Sequence, residues 1–291
     1  YGGGVLKSSK IYLYLGLSVL LIWTLTPIYW YLKLAFLTPN NISIFPPVFL
    51  PDDMHIGAFY NIFGFDYTTS NNILLPASGQ ASQVIRGLLN SLFVSFISTI
   101  ITMIVIVPLA YTFSRLTFRF KTALLLTILL SVALPPISTL IPFFAMYVKL
   151  GLTGTKFGLI IVTLTITIPF VTWMLIGYFR NIPPIEKLGR IDGYGRFETF
   201  LKVFIPVSKN GILVAAVISF IFSWNEFTYA SILVNGTQAV TFPTSISSFL
   251  FQHPHPQHLS ASLFLGMIPP FIVAVFLQRY ISEMNIVDPL R

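Results

Sequence analysis

Apolar and polar residues are distributed along this chain in blocks rather than residue by residue. Six apolar stretches, at about 11–32, 87–113, 122–148, 157–179, 210–234 and 259–281, are separated by segments rich in Pro, Asn, Ser, Thr and basic residues. A helix rises about 1.5 Å per residue, so about 20 apolar residues cross the hydrocarbon core of a bilayer. Lipid offers no partner for backbone N–H and C=O groups, which leaves helices and closed barrels as spanning structures. Continuous runs without a period of two select helices. The pattern predicts an all-α polytopic membrane protein with six transmembrane helices.

Composition removes the soluble alternative. The 291 residues are 55% hydrophobic and 9% charged, against about a quarter charged in soluble domains. No cysteine is present, which excludes disulfide frameworks, thiol catalysis and cysteine-ligated metals. A net charge of +8 in a soluble chain would point to nucleic acid, but here the basic residues sort by membrane face, so the expected surface partner is lipid and not nucleic acid. Six spans put both termini on one side. With them fall Lys7, Lys10, Arg115, Arg119, Lys121, Arg180, Lys187, Arg190, Arg196, Lys202, Lys209, Arg279 and Arg291, against Lys33, Arg86, Lys149 and Lys156 on the other. That bias predicts cytoplasmic N- and C-termini in the cell membrane. Lys7 and Lys10 precede the first span as they would a signal sequence, but the apolar run is too long for one, and a retained helix is expected. The whole of 1–291 reads as one membrane domain, with a core at 86–283, an outer segment at 33–86 and a cytoplasmic loop at 180–209.

That loop carries more pattern than a connector needs. Pro183 and Pro184 can open a helix, since its first turn needs no backbone donor, and Ile185, Leu188 and Ile191 then share a face. Gly193 permits a sharp turn, 196–204 is amphipathic again, and Pro206 marks entry into the fifth span. Residue chemistry alone leaves two readings: a basic loop lying on headgroups, or a short helix made to seat in a partner.

The segment resembles the cytoplasmic signature loop of binding-protein-dependent ABC importer permeases, written EAA, three residues, G, nine residues, I-x-LP. Gly193 stands where the signature has its glycine, and Val203, Ile205 and Pro206 take the spacing of its end. Lys187 occupies the acidic position, with Glu186 one residue earlier, and Leu188 and Gly189 replace the alanines. Four further tags, Arg86-Gly-Leu-Leu-Asn90-Ser91, Ala110-Tyr-Thr-Phe-Ser-Arg115, Ser223-Trp224-Asn225-Glu226-Phe227 and Gln278-Arg279-Tyr280, are similar to the carbohydrate branch of that superfamily. Within it the chain resembles the shorter, maltose-transporter-like six-span subunit.

The resemblance implies a type I ABC importer permease fold and a non-catalytic subunit of an ATP-driven sugar importer, forming half of the translocation path. No GxxxxGK[ST] loop is present, and Gly151-Leu-Thr-Gly-Thr-Lys156 fails the spacing. ATP and Mg would therefore sit on two partner ATP-binding subunits, with no cofactor on this chain. A second homologous permease, giving a heterodimer, and an extracellular sugar-binding protein complete the implied assembly. The 182–206 loop would couple to an ATPase subunit, with Ile185, Leu188 and Ile191 as apolar anchor, Glu186, Arg190 and Asp192 as polar rim, and Gly193 at the turn. The substrate would be a monosaccharide, for example glucose, or a short oligosaccharide.

Inside the spans, Glu226 is the only acid, and an intramembrane acid is a functional candidate by default. Trp224, Asn225, Glu226 and Tyr229 are candidates for the substrate path or gate. Trp224 and Asn225 could stack on and hydrogen-bond a sugar; alternatively Asn225 and Glu226 hold a helix interface, the preferred reading. Pro27, Pro108, Pro135-Pro136, Pro142, Pro169 and Pro269-Pro270 fall within spans, where kinks are expected. His253, His255 and His258 read as a polar docking loop before a metal site, and Asp52 and Asp53 as a turn. Three alternatives remain: an ABC permease for a non-sugar solute, an ion-coupled secondary transporter, which would want more intramembrane charges and inverted repeats, and a membrane enzyme, for which no catalytic cluster is seen.

Overall fold

The computed structural model describes residues 3–42, 44–47, 49, 54–70, 72–251 and 255–282. Its helices are α1 (Gly3–Phe36), α2 (Pro39–Ile42), α3 (Gly57–Ile62), α4 (Gly79–Arg115), α5 (Lys121–Ala133), α6 (Pro136–Leu150) and α7 (Lys156–Arg180). There follow α8 (Glu186–Ile191), α9 (Arg196–Glu198), a π-helical stretch Thr199–Phe204, α10 (Ile205–Trp224), α11 (Ala230–Leu233), α12 (Phe242–Phe251) and α13 (Pro256–Ser282). Five described stretches are long and apolar enough to cross a membrane: Ile11–Phe36, Gly79–Arg115, Lys156–Arg180, Arg196–Trp224 and Pro256–Phe276.

The third expected span, 122–148, is not one helix but the pair α5 and α6, 13 and 15 residues long. They meet at Leu134 and Pro135, both extended, with ψ of 122° and 130°. Proline disfavours the helical conformation in the residue before it. Pro269-Pro270 is nevertheless accommodated inside α13, so the dipeptide permits a break and the packing decides it. The halves serve different clusters: Leu125 and Ile128 of α5 lie against Val171, Leu175, Ile176 and Phe179 of α7. Leu140, Phe143 and Tyr147 of α6 pack with Leu159, Ile160 and Val162 at the other end of α7. The pair thus contributes to both clusters that α7 enters. Pro27, Pro108, Pro142 and Pro169 also remain inside helices.

The fold divides into two compact units. The first takes in described residues of 1–85 and 246–266. Its α1 exposes large apolar side chains along Ile11 to Ile28, as a helix facing lipid does. Beyond α1, the 33–86 segment forms short elements, among them α2, α3 and a two-residue antiparallel ladder that pairs Tyr67 with Leu75 and Thr68 with Leu74. Asn61 organises them: its Nδ2 donates to Phe65 O at 3.0 Å and Leu75 O at 2.9 Å. Its Oδ1 lies 3.2 Å from His258 Nε2. That contact and stacking on Phe249 make His258 a structural residue, and no described group of three His, Cys, Asp or Glu residues could hold a metal. His253, Asp52 and Asp53 lie outside the described residues.

The second unit takes in 86–245 with the described part of 267–291. Buried positions on α7 recur every three or four residues from Leu159 to Phe179, one stripe of a helix. Between the two apolar clusters Thr102 Oγ1 of α4 and Thr167 Oγ1 of α7 are 3.0 Å apart. Against α10 the approach is closer still: a Cβ built on Gly211 would stand 2.1 Å from Cε1 of Tyr178. In lipid, helices associate through close packing and interhelical hydrogen bonds rather than hydrophobic expulsion, which is why small residues and threonines sit at these contacts. The Gly151-Leu-Thr-Gly-Thr-Lys156 stretch is the connection from α6 to α7, with Gly151 at φ 66° and Thr155 Oγ1 capping Gly158 N.

Candidate functional site

The 180–209 loop folds into α8, a tight turn, α9 and the π-helical stretch that runs on into α10. The helix α8 ends in a Schellman turn: Tyr194 N donates to Gly189 O at 2.9 Å and Gly193 N to Arg190 O at 3.1 Å. Gly193 has φ 80° with nothing within 4 Å of where a Cβ would be. Its requirement is therefore backbone conformation and not space.

Two contacts fix α8 to the membrane helices. Arg115, at the end of α4, places Nε 3.3 Å from Glu186 Oε1, with the two side chains only 11% and 22% exposed. Its Nη2 donates to Ile182 O at 2.6 Å, and its guanidinium lies 5.2 Å from the Phe204 ring centre. On the other side, Gly189 is buried against Thr199, at the start of the π-helical stretch. Beneath them Tyr111 packs on Phe200 and Phe204, and Phe204 on Phe179.

This arrangement redistributes the expected contact set. Leu188 and Ile191 are outward-facing, 59% and 80% exposed, joined by Phe197 at 71%. Arg190, Asp192 and Gly193 are also exposed. Ile185, expected on the outward apolar face, is half-buried against the cluster that contains Phe179 and Phe204. It precedes the six-residue helix as its N-cap, so helical spacing does not yet govern its direction. Glu186, expected on the polar rim, turns inward to Arg115. The sequence reading did not single out Arg115, Gly189 or Thr199 as parts of the site. Arg115 closes one of the sequence tags, and Gly189 stands at a small-residue position of the signature; those were the available signals.

At the far end of α10 the fifth span stops earlier than the expected 210–234. The helix ends at Trp224, and Glu226 sits in the turn before α11 rather than within a helix. Its carboxylate accepts from Tyr229 N at 2.8 Å through Oε1 and from Ala230 N at 3.0 Å through Oε2. It caps α11. Trp224, 3% exposed, is stacked between Phe220 and Phe242, which removes its ring faces from a passing solute. Asn225 is exposed and donates from Nδ2 to Ile221 O at 2.9 Å. Tyr229 is buried, with its hydroxyl 2.6 Å from Thr139 Oγ1. It lines a cavity of about 420 Å³ with Leu134, Pro136 and Phe170, beside the break between α5 and α6. Here too an early tag has structural content: Asn90 Nδ2 donates to Gln238 O and Val240 O, and Ser91 Oγ accepts from Phe242 N at 2.8 Å.

Comparison with known proteins places this geometry. The chain is 32% identical to the trehalose transport system permease protein SugB of Mycobacterium tuberculosis, over 67% of this chain and 73% of that protein. It is 27% identical to the sulfoquinovosyl glycerol transport system permease protein SmoH of Agrobacterium fabrum, over 96% of this chain and 93% of that one. A chain in the crystal structure of a bacterial ABC transporter involved in the import of the acidic polysaccharide alginate superposes with a TM-score of 0.76. That similarity covers 96% of this chain and 99% of that one at 19% identity, and it shows the fold. The family model described as the binding-protein-dependent transport system inner membrane component matches residues 106–283, a range that holds the signature loop, the Arg115–Glu186 pair and the Glu226 cap. This chain, a multi-pass and non-catalytic membrane permease, belongs to that family.

Proposed function

We propose that this chain forms half of the translocation path of an ATP-driven sugar importer, and that α8 is its coupling helix. The observation that carries the reading is the mounting of α8. Leu188 and Ile191, with Phe197 of α9, are turned outward on a segment tied to α4 through Arg115 and to α10 through Thr199. Exposed apolar side chains held on a rigid element are what an interface anchor needs. A partner ATPase that moved α8 would pull both membrane helices with it, because Arg115 also bonds the Ile182 carbonyl and Gly189 packs directly on Thr199.

In this reading both termini and the 182–206 loop are cytoplasmic, in keeping with the distribution of Lys and Arg. Two ATP-binding subunits carry ATP and Mg, a homologous permease supplies the other half of the path as a heterodimer, and an extracellular binding protein delivers the sugar. A monosaccharide or short oligosaccharide is supported by the transport roles in the names of SugB and SmoH. Both oxygens of Glu226 are engaged by backbone N–H groups, which speaks against a proton relay and so against an ion-coupled transporter.

The test is purification from native membranes in mild detergent. A second permease and an ATP-binding subunit should accompany the chain, and a sugar-loaded binding protein should raise ATP hydrolysis in the reconstituted complex. A chain that runs alone, or that transports on an ion gradient without nucleotide, would end this reading.

A further inference from the structure

Beside α8 lies a cavity of about 650 Å³, between the end of α4 and the segment that carries α8 and α9. Its charged lining is Arg115, Lys187, Arg190 and Arg196 against Glu186 alone. Arg115 is engaged with Glu186 and with the carbonyls of Ile182 and Pro183. Lys187, Arg190 and Arg196 enter no ion pair among the described residues. Three exposed like charges around one cavity attract an anion, to a degree that salt screens. Thr199, only 3% exposed, forms part of the cavity wall, with its hydroxyl packed on Gly189. Leu116 and Phe118 add exposed apolar surface at its edge.

We propose that this cavity binds the phosphate headgroup of an anionic membrane lipid, with the acyl or alkyl chains lying along Leu116 and Phe118. The inference rests on the cytoplasmic placement of the loop proposed above. Basic pockets beside transmembrane helices on that face suit such headgroups. A free phosphate ion shares the headgroup chemistry, but has no use for the apolar edge. The lipid would sit against α8 itself and join the loop to the bilayer it must move through.

The experiment uses the full chain in its purified complex, stripped in neutral detergent and placed in phosphatidylcholine bilayers with increasing phosphatidylglycerol. Bound lipid is counted by native mass spectrometry. Phosphatidylglycerol should be retained, and Arg190→Gln with Arg196→Gln should weaken its retention roughly 30-fold. Lys202→Gln should retain it, since that lysine pairs with Glu198 and does not line the cavity. Equal retention in the double variant, or equal loss in Lys202→Gln, would overturn the site in favour of diffuse attraction. Displacement of the lipid by millimolar orthophosphate would overturn it in favour of a free anion. Should the double variant fail to assemble, Arg196→Gln alone carries the same test, with an expected loss of about fivefold. Sugar-stimulated ATPase in phosphatidylcholine alone reports on the importer reading separately.

Discussion

Gly189 approaches Thr199 so closely that a Cβ on the glycine would stand 2.7 Å from both Cγ2 and Oγ1 of the threonine. The signature's small-residue position is thus a packing requirement between α8 and the helix that leads into the membrane. Gly189→Val should unseat α8 and reduce binding-protein-stimulated ATP hydrolysis by about tenfold, the scale of one overpacked contact. Thr199→Ala in the same chain should recover part of the loss. Full activity in Gly189→Val would remove this contact from the coupling path.

Removing the cation at position 115 leaves a different signature. Arg115→Met strands the Glu186 carboxylate and frees the Ile182 carbonyl. The pair is partly shielded from water, so the expected loss of stability is about 1–3 kcal/mol. Glu186→Gln should cost less, because it strands no partly buried carboxylate and leaves the bonds from Arg115 to the Ile182 and Pro183 carbonyls in place. Thermal unfolding of the detergent-solubilised complex measures both, and identical midpoints for wild type and Arg115→Met would contradict the tie.

Gly193 is expected to discriminate among substitutions by backbone and not by size. At φ 80°, Asn should be tolerated best, Ala should cost about 1–2 kcal/mol in local conformation, and Pro, whose φ is fixed near −65°, should be excluded. Gly193→Pro should leave the protein in the membrane while ATP hydrolysis no longer responds to sugar. Reconstituted complex provides the readout; a Gly193→Pro protein with normal coupling would contradict the turn's role.

Glu226 offers a direct choice between its two sequence-based roles. As a cap it engages two N–H groups with two oxygens, whereas glutamine has one acceptor oxygen and would present its NH2 to the second donor. Glu226→Gln should therefore destabilise the protein by about 1–2 kcal/mol, with the sugar dependence of transport unchanged. A shift in that dependence at unchanged thermal midpoint would return Glu226 to the substrate path.

The parts of this fold legible in the sequence are those set by local composition. Apolar length located five of the spanning helices, and glycine chemistry located the turn at Gly193. The break at Leu134 and Pro135 was not legible, because Pro269-Pro270 shows the same dipeptide inside a helix; the outcome depends on which surface of α7 each half meets. The inward turn of Ile185 and Glu186 was hidden for a related reason. Helical spacing assigns faces only within a helix, and both residues stand at its very start, where a distant arginine draws in Glu186 and the cluster around Phe179 and Phe204 takes Ile185. The Glu226 cap was misplaced because hydropathy alone carried the fifth span through Trp224 and onward.

The wide turn at Thr199–Phe204 has a consequence of another kind. A π-helical stretch holds an additional residue relative to α-helix, and each residue of helix turns its successors by about 100°. Deleting one residue there would leave the apolar rod to Trp224 intact while rotating Thr199 away from Gly189 and Arg196 away from its cavity. Exposed loops can change length with little effect on the elements they join. From Thr199 to Trp224 the residue count is itself a setting, one that fixes the angular phase between the end of the rod beside α8 and the end that carries the Glu226 turn.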